Sequence, residues 1–264
     1  MRTVCLVLGL TFLPACLVPA GTVPNVDFSV DAATQYNHRG MPQNTRGVLQ
    51  PAASIHMPAI GEGLLSLSTW GNLDLTDETG DAWMPDDNAY RFSEIDYIAT
   101  YSRRYGVIDT SFGLHNYNLP LGRDIVFAER GGTVELFVRG EYDMQNGWFP
   151  FSELRADIDE AEGYYALFGC AKSIPIDDLL TFEAEGYFSY TDKKQADWNY
   201  TAKEAGLADA RVTAKLFYQF DDSTRFNVLA AYSTVIDGDI RDEFDDNKID
   251  ADNAWISGGV SWSY

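Results

Sequence analysis

The sequence predicts an all-β fold, a twelve-stranded antiparallel transmembrane β-barrel, on three observations. Segments of alternating apolar and polar residues recur along the chain, their number is even, and the connections between them alternate long and short. An outer-membrane barrel has all three properties, because its strands meet lipid on one face and a polar interior on the other. The clearest segment is 254–264. Ala254, Ile256, Gly258, Val260, Trp262 and Tyr264 share one face, and Trp255, Ser257, Gly259, Ser261 and Ser263 the other. Its aromatic end, Tyr264, suits a closing strand that ends at the membrane–water boundary.

The first predicted strand, 26–36, sets Val26, Phe28, Val30 and Ala32 against Asp27, Ser29, Asp31 and Gln35. The second, 48–57, contains Pro51, which removes a ladder donor and predicts a bulge or a gap in pairing. The third is 63–75. In the fourth, Ile95, Tyr97, Ala99 and Tyr101 oppose Glu94, Asp96, Thr100 and Ser102. The fifth is 107–119. The sixth sets Val134, Leu136, Val138 and Tyr142 against Glu135, Arg139 and Glu141; the seventh sets Leu154, Ala156 and Ile158 against Glu153, Arg155, Asp157 and Asp159. The eighth, 164–174, has no clear face. In the ninth, Leu180, Phe182, Ala184 and Phe188 oppose Thr181, Glu183, Glu185 and Ser189, and in the tenth Val212, Ala214, Leu216 and Tyr218 oppose Arg211, Thr213, Lys215 and Gln219. The eleventh, 224–236, follows a short Asp221-Asp222-Ser223 turn, and 254–264 is the twelfth.

These lengths approach the roughly 9–11 residues that a tilted strand needs to cross a bilayer. With the N-terminus in the periplasm, 76–89, 120–132, 191–207 and 237–253 are long external loops and the opposite turns are short. The exceptions are a brief external 160–163 and a longer internal 143–150. A lipocalin-type barrel has too few strands. A twelve-stranded soluble β-sandwich remains compatible, because alternation does not tell inside from outside.

Residues 1–20 read as a signal peptide: Arg2, an apolar 4–13, and Val18-Pro19-Ala20 before Gly21. The rival reading is a lipoprotein box at Leu13-Pro14-Ala15-Cys16. Residues 21–264 are then the barrel. The formal charge is −21 for the whole chain, or −22 without the first twenty residues, which hold one arginine and no acid. Such acidity excludes nucleic acid as a partner. Past the signal region Cys170 is alone, so no intrachain disulfide is expected, and no Cys/His spacing fits zinc. No cofactor or metal is expected.

Tyr36-Asn37-His38-Arg39-Gly40-Met41-Pro42-Gln43 resembles the Tyr-x-x-Arg-Gly-x-x-Gln signature that follows the first strand of TorF-like putative porins. Thr69-Trp70-Gly71-Asn72, Glu94-Ile95-Asp96-Tyr97 and 157–165 are similar to further segments of that family. His38 departs from its usual aromatic residue. The resemblance implies an outer-membrane channel and names no solute.

By alternation the polar faces carry Asp27, Asp31, Glu94, Asp96, Asp109, Glu135, Glu141, Glu153, Asp157, Glu183 and Glu185, opposed by Arg139, Arg155, Arg211, Lys215 and Arg225. Eleven acids against five bases favour cations in a pore. The same charges could pair across strands and plug the barrel, leaving it a structural or surface-interaction role. Gly40 permits positive φ, and Arg39 beside it could fold inward onto those acids. Eight acids between 237 and 252 invite a calcium reading, but the glycine of an EF-hand loop is missing, and a solvated loop fits better. Ser54 and His56 share a lumen face, and no GxSxG motif is present, so a hydrolase is not expected. The expected partners are outer-membrane lipid, small hydrophilic solutes or cations, and assembly machinery reading the strand that ends at Tyr264.

Overall fold

The computed structural model describes residues 24–82, 86–87, 89–120 and 132–264; the predicted signal segment lies outside them, as does most of the 120–132 loop. Twelve strands close into one antiparallel barrel. In chain order they are β1 (Asn25–Ala33), β4 (Val48–Ala59), β5 (Gly63–Asp74), β6 (Phe92–Tyr105), β7 (Ile108–Asn118), β8 (Gly132–Tyr142), β9 (Trp148–Asp157), β10 (Tyr164–Pro175), β11 (Leu180–Thr191), β12 (Gly206–Gln219), β13 (Thr224–Val235) and β14 (Asp252–Ser263). Each strand pairs with its neighbour in sequence, and β1 closes the ring against β14 through pairs such as Phe28 with Trp262. A short hairpin, β2 (Tyr36–His38) and β3 (Met41–Asn44), lies between β1 and β4.

The outward faces are apolar and exposed, with Phe112, Val138, Val212, Val228 and Ile256 each more than half accessible. A soluble sandwich would bury these side chains; a membrane barrel turns them to lipid. Exposed aromatics gather at both rims: Tyr105, Tyr142, Trp148, Tyr218 and Phe220 at the turn end, and Tyr90, Tyr164, Tyr190 and Tyr232 at the loop end. Such paired girdles mark the two membrane interfaces. Pro51 pairs with Val30 of β1, whereas the β4–β5 ladder passes from Leu49–Leu73 to Ala52–Trp70 without it. The predicted gap is there, on the side where proline has no N–H to give.

The short turns owe their geometry to aspartate. Asp143, Asp177 and Asp221 each accept hydrogen bonds from backbone N–H groups two or three residues on, at Gln145, Leu179 and Leu180, and Ser223 and Thr224 respectively. The N–H and hydroxyl of Ser223, followed by Thr224, hold the Asp221 carboxyl below its ordinary value. Asp143 is likewise lowered, first by the hydrogen bond from Arg104 and then by the Gln145 N–H.

Four segments depart from the sequence expectation. The first strand stops at Ala33 instead of 36, and the chain turns into the barrel as the hairpin. The seventh strand begins at Trp148, which shortens the inner connection to 143–147 and leaves Ile158 and Asp159 in the external turn. The 191–207 and 237–253 loops carry helices α1 (Lys193–Tyr200) and α2 (Gly238–Asp246). Asp192 caps α1 by accepting from the Gln195 N–H, and Asp237 caps α2 by accepting from Asp239 and Ile240. Asp237→Ala should cost about 1 kcal/mol and show as faster amide exchange over 238–246, with the strands unaffected.

Candidate functional site: the lumen and its crossbar

The hairpin crosses the inside of the barrel near its loop end. Gly40 and Arg39 form its tip with φ of 79° and 50°. Arg39 sits over the Tyr165 ring, 4.2 Å from its centroid, and grips Glu135 of β8 through both carboxylate oxygens at 2.7 and 2.6 Å. Both side chains are almost fully buried. Further bonds tie the hairpin to strands all round the ring. Tyr36 donates to Glu94 on β6 at 2.7 Å, and Asn44 to Asp74 on β5 at 2.8 Å. Ser233 of β13 donates to Asn37 at 3.3 Å. Just before the hairpin, Gln35 donates to Asn253 of β14 at 2.7 Å.

The two helices press the hairpin from outside. Tyr200, Ile240 and Phe244 join Met41, Tyr165, Ala208 and Val235 in a buried apolar cluster. The Tyr200 hydroxyl donates to the Arg39 carbonyl at 2.8 Å. Burial, ahead of the nearby Asp209 charge, pushes this phenol well above its ordinary value, so it serves as a neutral donor.

A polar network extends from the grip on Glu135. Arg155 reaches Glu135 at 3.4 Å, Glu153 at 2.5 Å and the Tyr117 hydroxyl at 2.9 Å. Its guanidinium also meets His115 Nδ1 at 3.2 Å, and His115 Nε2 meets Asp96 at 2.8 Å. Arginine has no acceptor, so Nδ1 accepts from it, and Nε2–H donates to the Asp96 carboxylate.

The interior holds a cavity of about 860 Å³ running from the hairpin to Arg225 and Ser263 at the turn end. Beyond the hairpin lies a smaller one of about 60 Å³, bordered by Glu94, Glu135, Trp198 and Asn199. His38, Arg39 and Tyr117 border both. With the rest of the hairpin they lie between the two spaces.

The structure brings Asp27, Asp31, Arg39, Asp96, Glu153, Arg155, Arg211, Lys215 and Arg225 onto the large cavity. Glu94 and Glu135 face the smaller one. Asp109, Arg139 and Glu141 border a third space, about 430 Å³, at the turn end. Register puts Glu183 opposite Lys215 and Glu185 opposite Thr213, on the lumen face, but neither borders these cavities. Asp157 does not border them either: it is buried beneath the external turn, accepting from Thr133 at 2.6 Å and from the N–H groups of Asp159 and Ala161. Sequence reasoning missed Tyr117, Tyr165 and Tyr200. Tyr117 is on the polar side of an alternating strand, which is a legible signal; the others are recognisable only from their packing.

Several of the predicted lumen acids are hydrogen-bonded or ion-paired. Glu135 and Glu153 are held by arginines, Asp96 by His115, and Asp31 by Asn227 at 3.1 Å. Asp27 accepts from His56, whose other ring nitrogen meets Ser66 at 2.7 Å. This Ser–His–Asp line lies across paired strands, Ser54 of β4 opposite Asp27 of β1 and His56 of β4 opposite Ser66 of β5. It reads as a brace between the three strands.

The chain matches no protein-family model and no curated protein. Among solved structures it is similar to the NanC porin, with TM-score 0.53 and 10% identity over 89% of this chain and 98% of that one. It is also similar to an outer-membrane channel of Pseudomonas putida F1 (TM-score 0.49, 11% identity, 94% and 100% covered). A third is the KdgM porin in complex with disordered oligogalacturonate (TM-score 0.48, 11% identity, 91% and 99% covered). The fold is thus that of the outer-membrane porins, a closed twelve-stranded antiparallel barrel.

Proposed function

We propose that the chain is an outer-membrane channel for passive diffusion of small hydrophilic solutes, with His38, Arg39 and Tyr117 at its constriction. The observation that carries this reading is the large polar lumen, separated from a smaller outer space by the hairpin, with those three side chains bordering both. The TorF-like resemblance of residues 36–43 supports the same reading, since those residues build the crossbar. Lipid covers the outward apolar faces, and the strand ending at Tyr264 is the segment for assembly machinery to read. A cation preference rested on eleven acids, and arginine pairing of Asp109, Glu135, Glu141 and Glu153 reduces that support.

The buried crossbar favours a second reading, a closed barrel with a structural or surface-interaction role. Conductance of the refolded protein in a planar bilayer separates the two. Discrete current steps are expected; insertion without current would overturn the channel and leave the closed barrel.

A further inference from the structure

Three cations line the large cavity outside any ion pair, although the Asp209 charge acts on Arg211 from two residues along the same strand. Among the described residues no carboxylate comes within 4.0 Å of the head groups of Arg211, Lys215 or Arg225. Even Glu183, the direct cross-strand neighbour of Lys215, makes no ion pair with it. Of the acids on the same cavity, Glu153 is paired with Arg155, and Asp27, Asp31 and Asp96 are hydrogen-bonded by His56, Asn227 and His115. Arg211 also keeps its Nε buried and without a hydrogen-bond partner.

These cations are ordered along the channel. Arg211 and Lys215 lie four residues apart on one face of β12, about 13 Å of strand. Arg225 of β13 pairs with Gln219 of β12, a further four residues on, so the row extends about another 13 Å. Their head groups rest against aromatic rings: Arg211 at 5.0 Å from Trp255, Lys215 at 5.3 Å and Arg225 at 4.5 Å from Phe217. A ring holds a cation in place without cancelling its charge for a passing anion. β14 presents Ser257 and Ser261 to the same cavity, small residues that leave room before the row, while the Asp31 carboxylate fills the space over Gly259.

Building on the channel reading, we propose that Arg211, Lys215 and Arg225 form a binding row for organic anions bearing carboxylates, which makes the lumen select anions over cations. Each guanidinium offers a carboxylate two parallel donors, and the lysine a point charge between them. A solute steps from one head group to the next between the crossbar and the turn end.

The test pairs gluconate with sorbitol, which share a six-carbon polyol chain and differ by a carboxylate. Binding to the refolded full-length barrel is measured by calorimetry, and selectivity by the reversal potential under a potassium gluconate gradient. Gluconate should bind saturably and sorbitol not, and the reversal potential should have the anion-selective sign. The Arg211→Gln/Lys215→Gln/Arg225→Gln variant, which leaves the crossbar intact, should weaken gluconate about tenfold or more and lose the anion selectivity. Equal binding of both probes, a cation-selective parent or a variant indistinguishable from it would overturn the row. A barrel that binds gluconate through these residues but never conducts would retain the row and overturn the channel.

Discussion

Arg39→Ala should open the partition and weaken the barrel together. The guanidinium occupies the boundary between the two lumen spaces, so removing it joins them, and single-channel conductance should rise. The same change leaves Glu135 buried with Arg155, at 3.4 Å, as its remaining cation. Stripping one partner from a buried ion pair costs about 3–5 kcal/mol, and the Arg155 contact places the loss toward the lower end. A shift of the urea midpoint at unchanged slope reads the stability part. Arg39→Met with Glu135→Leu should recover most of that stability, because the uncompensated charge has gone. Conductance unchanged in Arg39→Ala would show that the solute path avoids this residue.

Gly40→Val should expel the crossbar while sparing the wall. At φ of 79° the position lies in left-handed space, and a Cβ there would meet Asp209 Cβ at 2.7 Å. Left-handed backbone costs an L-residue about 1–2 kcal/mol, and overpacking about 1–3 more. The neighbouring contacts cannot absorb this: Tyr165 and Ser189 both hydrogen-bond the Asp209 carboxylate that fixes this wall. The expected outcome is a heat-resistant barrel of normal strand content whose residues 36–44 become open to protease. A folded hairpin that still resists protease would contradict it.

The wall was legible because lipid and lumen impose opposite demands on successive residues. Val212 and Arg211, or Val138 and Arg139, could be sorted by parity alone, since a strand turns its side chains out and in by turns. The crossbar was not legible in the same way. Residues 36–44 are too short for a period to appear, and the Glu135 that Arg39 meets is 96 positions away. Glycine after Arg39 did point to a turn, but turn chemistry does not say where a turn docks. Helix α2 left a usable trace, an Asp237 cap followed by Ile240 and Phe244 four apart, which the dense acids around them obscured. Helix α1 left less: its buried face includes Gln195 and Asn199, which read as solvent-facing in sequence.

The hydrogen bonds of the wall and those of the crossbar impose different demands on the unfolded chain. Eleven of the twelve seams join consecutive strands of the barrel, so each closes over a modest separation even where the external loop is long. The crossbar contacts to Asp74 and Glu94 span 30 and 58 positions, and the others join residues separated by 96, 161, 196 and 218. Loop-closure entropy rises with separation, and a contact of that span becomes affordable only after intervening strands have zipped. The interior obstruction is therefore the last part to form and depends on the β1–β14 seam. A chain held before that closure would present an unobstructed, one-sided sheet, and the division of the lumen would arise in the final step of assembly.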